Sequence, residues 1–185
     1  MRATGTVVGL TALAALGGSL LAVAPPAHAA SYTYEWFYTK NPNNYTDGTL
    51  QLERINDSSG GVSEIWSTRA GSGNTGGGAN PYNDCTTDHG WIPNGTYSIT
   101  ATFADHTGAV EGPAVELSDH VCSKGTVTRT ALFMHSLYPW NGQYISNGCI
   151  VMSNSGGPSN ASGAVETMYQ DTVKYDVKTL SVSTS

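Results

Sequence analysis

Basic residues are scarce in this sequence, and their scarcity limits the partners that it can bind. Eight Lys and Arg stand against fourteen Asp and Glu, which gives a formal net charge of −6. Nucleic acids and anionic membranes attract proteins through a concentrated basic surface, and this chain has too few cations to form one. We therefore expect neither nucleic acid nor a membrane surface as a partner.

Long apolar runs are lacking after the first thirty residues. Before that point Arg2 precedes an apolar stretch from Val7 to Ala24, and Ala27-His28-Ala29 has the small-x-small form of a cleavage site. This pattern predicts a secretory signal peptide at residues 1–29 and a single domain of about 155 residues at 30–185. We expect the mature chain to be a soluble monomer outside the cytoplasmic membrane, without membrane insertion.

Helical periodicity is also rare, whereas apolar and polar residues alternate along much of residues 30–185. The alternation is clear at Tyr32 to Tyr38 and at Tyr97 to Phe103. A period of two is typical of half-buried strands. We predict a mainly β fold, a sandwich or barrel, with one short helix near the C-terminus at Ala164 to Gln170, capped by Ser162.

Two further segments are predicted as strands. A strand from Val127 to His135 would place Arg129 and His135 on one face, roughly 20 Å apart. Near the C-terminus, alternation at Val173 to Val177 resumes out of phase at Leu180 to Val182. The change of phase predicts a bulge or turn between the two halves.

Cysteine occurs three times, at Cys85, Cys122 and Cys149. In an oxidising location an odd number leaves one thiol unpaired. A bond between Cys85 and Cys122 would close a loop of about 38 residues and contribute roughly 4 kcal/mol. This pairing is a hypothesis that rests on the surroundings of Cys149.

Metal-ligand spacings such as C-x-x-C or H-E-x-x-H are missing. The histidines and acidic residues are therefore interpreted as surface groups, and we expect neither a metal nor a cofactor. Residues 71–76 match the G-x-G-x-x-G dinucleotide pattern, but no helix follows that could present its amides to a phosphate. We interpret this stretch as a flexible loop.

The residues that suggest chemistry are His135-Ser136 and, after a loop, Ser146-Asn147-Gly148-Cys149. A thiol is a useful nucleophile as thiolate, so it needs an imidazole nearby to take its proton. His135 can be that base, and the backbone carbonyl of Ser136 can fix its tautomer. Gly148 leaves room for a substrate carbonyl to approach the amides of residues 147–149 as an oxyanion hole. The alternative is that Cys149 is a disulfide partner and that His135 has no catalytic role.

These two segments resemble the catalytic domain of the L,D-transpeptidase (YkuD-like) family, in which a histidine on a strand is followed by Ser/Thr-His-Gly-Cys. Residues 133–136 and 146–152 follow that pattern, and Ile92-Pro93-Asn94-Gly95-Thr96-Tyr97 is similar to the family's Thr-Pro-x-Gly-x-Phe/Tyr strand. The resemblance runs from about Gly48 to the final strand. It implies an L,D-transpeptidase-like fold, with Cys149 and His135 as catalytic residues, assisted by Ser136, and with Ser146, Asn147 and Gly148 at the oxyanion and substrate-binding positions.

Three departures distinguish the chain from most members of that family. Asn147 stands where histidine is common, Val151 stands where arginine is common, and His135 lies only fourteen residues before Cys149. The short spacing is more similar to the compact branch that includes secreted antibacterial effectors. Arg129, Arg69 and Lys124 are candidates to replace the missing arginine.

The resemblance implies a secreted enzyme of the cell-wall space that acts on peptidoglycan stem peptides. Cys149 would attack the carbonyl of the third stem residue, expel D-alanine and form a thioester, which passes to an amine or to water. L,D-transpeptidase and L,D-carboxypeptidase activity both remain open, as do remodelling of the producer's wall and attack on competitors. A secreted protease inhibitor or cell-wall-binding module without catalysis is the alternative.

Overall fold

The computed structural model describes residues 30–136, 143–152 and 163–185. The predicted signal peptide lies outside the described residues. The described strands are β1 Tyr32–Lys40, β2 Gly48–Asn56, β3 Val62–Gly71, β4 Gly95–His106, β5 Gly112–Leu117, β6 His120–Val121, β7 Thr128–Arg129, β8 Leu132–Ser136, β9 Ile150–Met152 and β10 Thr179–Thr184. The helix α1 spans Ala164–Lys174, and a 3₁₀ turn spans Gly76–Gly78.

Eight of these strands form one sheet that closes on itself in the order β1-β10-β4-β5-β8-β9-β3-β2. The pairs β1–β10 and β8–β9 are parallel, and the other neighbours are antiparallel. Strands β6 and β7 form a separate two-stranded sheet. The parallel pair β8–β9 places the segment that carries His135 beside the segment that follows Cys149.

The main core lies inside the closed sheet, where alternate side chains of each strand meet. In β4 Tyr97 is buried while the serine and threonines beside it are exposed, as alternation predicted. Val165 and Met168 of α1 belong to the same core, and Nε1–H of Trp36 donates a 3.0 Å hydrogen bond to Oγ1 of Thr172. The prediction of a mainly β fold with one short helix near the C-terminus is confirmed.

The C-terminal helix is longer than its sequence pattern predicted. It continues to Lys174, and its N-cap is Gly163, so the assignment of the cap to Ser162 is wrong. Thr172, one turn after Met168, is buried against Trp36 and extends the buried face of the helix. The expected strand at Val173 to Val177 is therefore also wrong, because its first half is helical.

The predicted strand from Val127 to His135 is two strands. Ala131 has a φ of 51°, a left-handed conformation that a continuous strand cannot contain. This break directs β7 to pair with β6 and β8 to join the main sheet. The distance expected between Arg129 and His135 assumed an extended chain, and that assumption does not hold.

A disulfide joins Cys85 to Cys122 and leaves Cys149 as a free thiol, which confirms the predicted pairing. The bond ties the segment before Gly90 to the small β6–β7 sheet. No helix in the described ranges is both long enough and apolar enough to cross a membrane.

Candidate active site around Cys149

The β8–β9 pair determines which way the candidate catalytic side chains face. Met134 lies opposite Ile150, and His135 lies opposite Val151. Met134 and Ile150 belong to the core inside the sheet. Because side chains alternate along a strand, His135 faces outward, on the other side of the sheet from Met134. Cys149 packs in a second, smaller apolar cluster with Phe133, Ala114 and Val110.

Four of the predicted site residues line one cavity of about 250 Å³: His135, Ser146, Asn147 and Cys149. The remaining lining residues are Asp88, His106, Ala109, Val110, Thr130, Ala131 and Phe133. We call this space the thiol cavity. The structure thus brings the histidine segment and the cysteine segment together, as the sequence predicted, and adds His106 and Asp88 from segments that the sequence did not connect with them.

The thiol of Cys149 is protonated at neutral pH in this environment. Burial raises its pKa to about 11, while a hydrogen bond from the Phe133 backbone and the charge of Arg129 lower it by less. The residue is 9% exposed, and Sγ lies 3.8 Å from the carbonyl oxygen of Ala131. Cys149 is therefore a neutral, buried thiol in this structure.

The ring of His135 is neutral at the same pH. Burial lowers its pKa to about 4, the backbone of Ser136 favours the protonated ring and partly offsets the burial, and His106 lowers the pKa further. Within the described part of the chain, the Nδ1 atom of His135 is buried and has no hydrogen-bond partner. The role of the Ser136 carbonyl as the acceptor for Nδ1 therefore stays a prediction.

The side chain of Ser146 organises the turn that carries Cys149. Its Oγ accepts hydrogen bonds from the amides of Gly73 and Gly148, both at 3.2 Å, and donates one of 2.5 Å to the carbonyl of Cys149. Since the Gly148 amide is engaged in this turn, the amides of Asn147 and Cys149 are the remaining candidates for the predicted oxyanion hole. Ser146 holds the turn more than it offers groups to a substrate.

Arg129 lies behind this turn, with its guanidinium buried. Nη1 donates to the carbonyl of Asp84 at 2.8 Å, and Nη2 donates to the carbonyl of Asn147 at 3.0 Å. These backbone acceptors occupy the guanidinium, so Arg129 is placed to hold the turn and to favour the thiolate, and not to bind a substrate carboxylate. Arg69 forms an ion pair with Asp47 instead.

His106 is the functional candidate that the sequence did not reveal. Its Nδ1 lies 2.8 Å from the carbonyl of Val110, and because a carbonyl can only accept, Nδ1 carries the proton. This contact leaves Nε2 free of the Val110 carbonyl, and His106 lines the cavity that also holds Cys149 and His135. Its position follows from the pairing of β4 with β5 and of β5 with β8, which no local motif in the sequence encodes.

One cluster of potential metal ligands occurs among the described residues, at Asp84, Cys85 and Cys122. The two sulfur atoms are bonded to each other. The carboxylate of Asp84 accepts hydrogen bonds from the amide and the hydroxyl of Ser123, at 3.0 and 2.8 Å. These atoms are already engaged in structural roles.

No protein-family model matches this sequence, and no curated protein matches it. Among solved structures, the fold is similar to that of Bd1075 from Bdellovibrio bacteriovorus, with a TM-score of 0.50 and 13% sequence identity. The similarity covers 82% of this chain and 48% of the other, so this chain spans about half the length of that protein. At this identity the likeness concerns the fold alone.

Proposed function

We propose that the protein is a cysteine-dependent acyltransferase or hydrolase that acts on peptidoglycan stem peptides, with Cys149 as the nucleophile. The observation that carries the proposal is the thiol cavity: the unpaired cysteine of the chain lies there with two imidazoles. A reactive thiol beside an imidazole is the minimum arrangement for thioester chemistry. The stem-peptide substrate rests on the family resemblance of residues 133–136 and 146–152.

In the proposed reaction the proton of the Cys149 thiol moves to the imidazole of His135 as sulfur attacks the carbonyl of the third stem residue. The attack gives a tetrahedral intermediate, in which the former carbonyl oxygen is negative and is stabilised by the amides of Asn147 and Cys149. Collapse of this intermediate breaks the peptide bond, and the leaving amine of D-alanine takes the proton from the imidazole. An amine or water then attacks the thioester and restores the thiol.

Both groups start neutral, so an ion pair between them is not the resting state. The pKa of Cys149 is about 11 and that of His135 is about 4, which makes proton transfer before attack unfavourable. We infer that proton transfer accompanies attack on a bound carbonyl, whose developing negative charge is stabilised nearby. Arg129 behind the turn also lowers the cost of charge on sulfur.

We further propose that the mature chain acts outside the cytoplasm, in the cell-wall space. The disulfide between Cys85 and Cys122 is compatible with this location, because such bonds persist in oxidising compartments. No metal or organic cofactor enters the proposed reaction, since a thiol and an imidazole supply the nucleophile and the base.

Release of D-alanine from a purified disaccharide tetrapeptide tests this function. Cys149→Ala should abolish release, and His135→Ala should lower the rate by at least about 100-fold. Variant His106→Gln should lower it less, because His106 is not part of the β8–β9 pair. Folding of each variant is checked by circular dichroism. If His135→Ala released D-alanine at the unaltered rate, His135 would not be the base.

A binding module or inhibitor without catalysis is the second candidate. The observation in its favour is the burial of both groups, which holds the thiol and the imidazole in their neutral forms. In that case the tetrapeptide would bind without loss of D-alanine, and Cys149→Ala would bind it equally well.

A further inference from the structure

A second cavity, of about 420 Å³, adjoins the thiol cavity and shares Ser146 and Asn147 with it. Its other lining residues are Tyr45, Asn74, Thr75, Gly76, His89, Gln143 and Ile145. The volume is within the range of small-molecule sites. The proposed reaction at Cys149 uses none of these seven residues.

The lining of this second cavity contains amide, hydroxyl, imidazole and apolar side chains, and none of its described residues is Asp, Glu, Lys or Arg. An ionised ligand that entered would lose hydration without gaining an opposite charge, which is costly. A neutral ligand with several hydroxyl or amide groups would lose less and could pair with the polar lining. The chemistry of the wall therefore favours a neutral polar ligand.

The polar wall is held in place by Asn74. Its Oδ1 accepts hydrogen bonds from the Gly76 amide at 2.9 Å and from Nδ1 of His89 at 2.7 Å, while Nδ2 donates to the carbonyl of Ser146 at 2.9 Å and to Oδ1 of Asn147 at 3.0 Å. The amide oxygen only accepts, so Nδ1 of His89 donates in this contact, and Nε2 is the ring nitrogen left for a ligand. A fixed wall of this kind reduces the entropy lost on binding.

A row of aromatic side chains continues from the cavity. The ring of Tyr45 makes an edge contact with Tyr82 at 5.9 Å between centroids, and Tyr82 makes another with Trp91 at 5.2 Å. Tyr82 is 38% exposed. Nζ of Lys40 lies 4.2 Å from the centroid of Trp91 and fixes the inner end of the row. Partly exposed aromatic rings offer apolar faces beside polar groups.

We propose that the second cavity and the row Tyr45–Tyr82–Trp91 bind a neutral chain of N-acetylated sugars. A sugar ring has an apolar C–H face that fits an aromatic ring, and its hydroxyl and acetamide groups fit the amide and imidazole lining. The shared wall at Ser146 and Asn147 would place the sugar next to a peptide in the thiol cavity. The sugar site follows from the cavity itself, and its assignment to cell-wall glycan rests on the proposed function.

Binding is measured with the Cys149→Ala protein, which excludes chemistry, and with the tetramer of N-acetylglucosamine as the probe. Titration followed by NMR should shift the amides of residues 74–76 and 143–147. Tyr45→Ala should weaken binding at least about tenfold, and Gln143→Ala, at an exposed position, should weaken it in a variant whose fold is not at risk. Tyr32→Ala, which removes an exposed tyrosine of β1, is the matched control and should bind normally.

Absence of saturable shifts at these residues up to about 10 mM tetramer, a limit that still detects millimolar affinity, would overturn the sugar site. If adding Tyr45→Ala or Gln143→Ala to the Cys149→Ala protein left its affinity for the tetramer unchanged, the sugar site would be overturned as well. The source of the sugar is tested by comparing a disaccharide tetrapeptide with the free tetrapeptide: the disaccharide should improve the Kd at least about tenfold. No improvement would overturn the assignment to cell-wall glycan. A failure of catalysis would appear separately, as sugar binding without D-alanine release by the unaltered protein.

Discussion

The guanidinium of Arg129 occupies the space that a side chain at position 148 would need. A Cβ atom added to Gly148 would lie 2.0 Å from Nη2 of Arg129. Gly148 also has a φ of 108°, which side chains rarely adopt. The buried arginine behind the turn and the positive φ therefore both require glycine at the position before Cys149.

Gly148→Ala should destabilise the fold more than the same change at a glycine with open space around it. Gly108 is the matched control, because its φ is 124° and no atom lies within 4 Å of an added Cβ. Both variants strain the backbone, whereas only Gly148→Ala displaces Arg129. We expect an additional loss of about 2 kcal/mol in the free energy of unfolding, measured by urea denaturation. Equal losses at the two positions would show that the contact with Arg129 is unimportant.

The stability of the protein should fall in mild acid because of His135. Burial lowers the pKa of its folded form to about 4, below the ordinary value of 6.5. The unfolded chain therefore binds the proton more readily, and the neutral ring's contribution is complete above about pH 6.5 and declines as the pH falls toward 4. The loss should reach at most about 3 kcal/mol.

The comparison of His135→Gln with the unaltered protein isolates this contribution, since other titrating groups are common to both. Denaturation at several pH values from 4 to 7 gives the free energy of unfolding at each pH. This free energy should change less steeply with pH in His135→Gln than in the unaltered protein. Cys149→Ala is the control, because its thiol is neutral throughout that interval. An unchanged slope in His135→Gln would mean that the ring is not buried as a neutral group.

Alkylation of Cys149 reports whether a thiolate exists before substrate binds. Because burial raises the thiol pKa to about 11, the rate with iodoacetamide should rise about tenfold per pH unit from pH 7 to 10. His135→Ala should leave this rate almost unchanged, since the imidazole does not hold the proton in the resting state. A plateau near neutral pH would reveal a preformed thiolate–imidazolium pair.

Alternation in the sequence predicted the strands whose two faces differ in environment. At Trp36, Tyr38 and Tyr97 the period of two coincides with burial inside the closed sheet. The break at Ala131 could not be predicted, because alanine rarely adopts a positive φ and has no local signal for it. The end of α1 was missed because alternation at Val173 to Val177 imitates a strand.

The motif at Cys149 correctly predicted which segments of the candidate site lie together, but not what surrounds them. His106 enters through the pairing of β4 with β5 and of β5 with β8, in which Ala114 lies opposite His135. Arg129 enters because the chain turns at Ala131. Both depend on long-range pairing, which a spacing pattern along the chain does not contain.

Cys85→Ser should reduce stability while sparing the nucleophile. The disulfide links the segment that contains Asp84 to the β6–β7 sheet, and its loss should lower the free energy of unfolding by about 2–4 kcal/mol. At a temperature where the variant is folded, the rate of D-alanine release should be close to that of the unaltered protein. If Cys85→Ser kept the full free energy of unfolding but no longer released D-alanine, the disulfide would take part in catalysis and not in stability.

Acylation of Cys149 is measured most directly by the intact mass of the protein, under non-reducing conditions, after exposure to a carbapenem. The β-lactam carbonyl would stand in for the stem-peptide carbonyl and stay bound as a thioester. We predict one adduct per chain, mapped by proteolysis to residue 149 and missing from Cys149→Ala. A folded protein that keeps its free thiol and gains no mass would contradict the proposed catalysis.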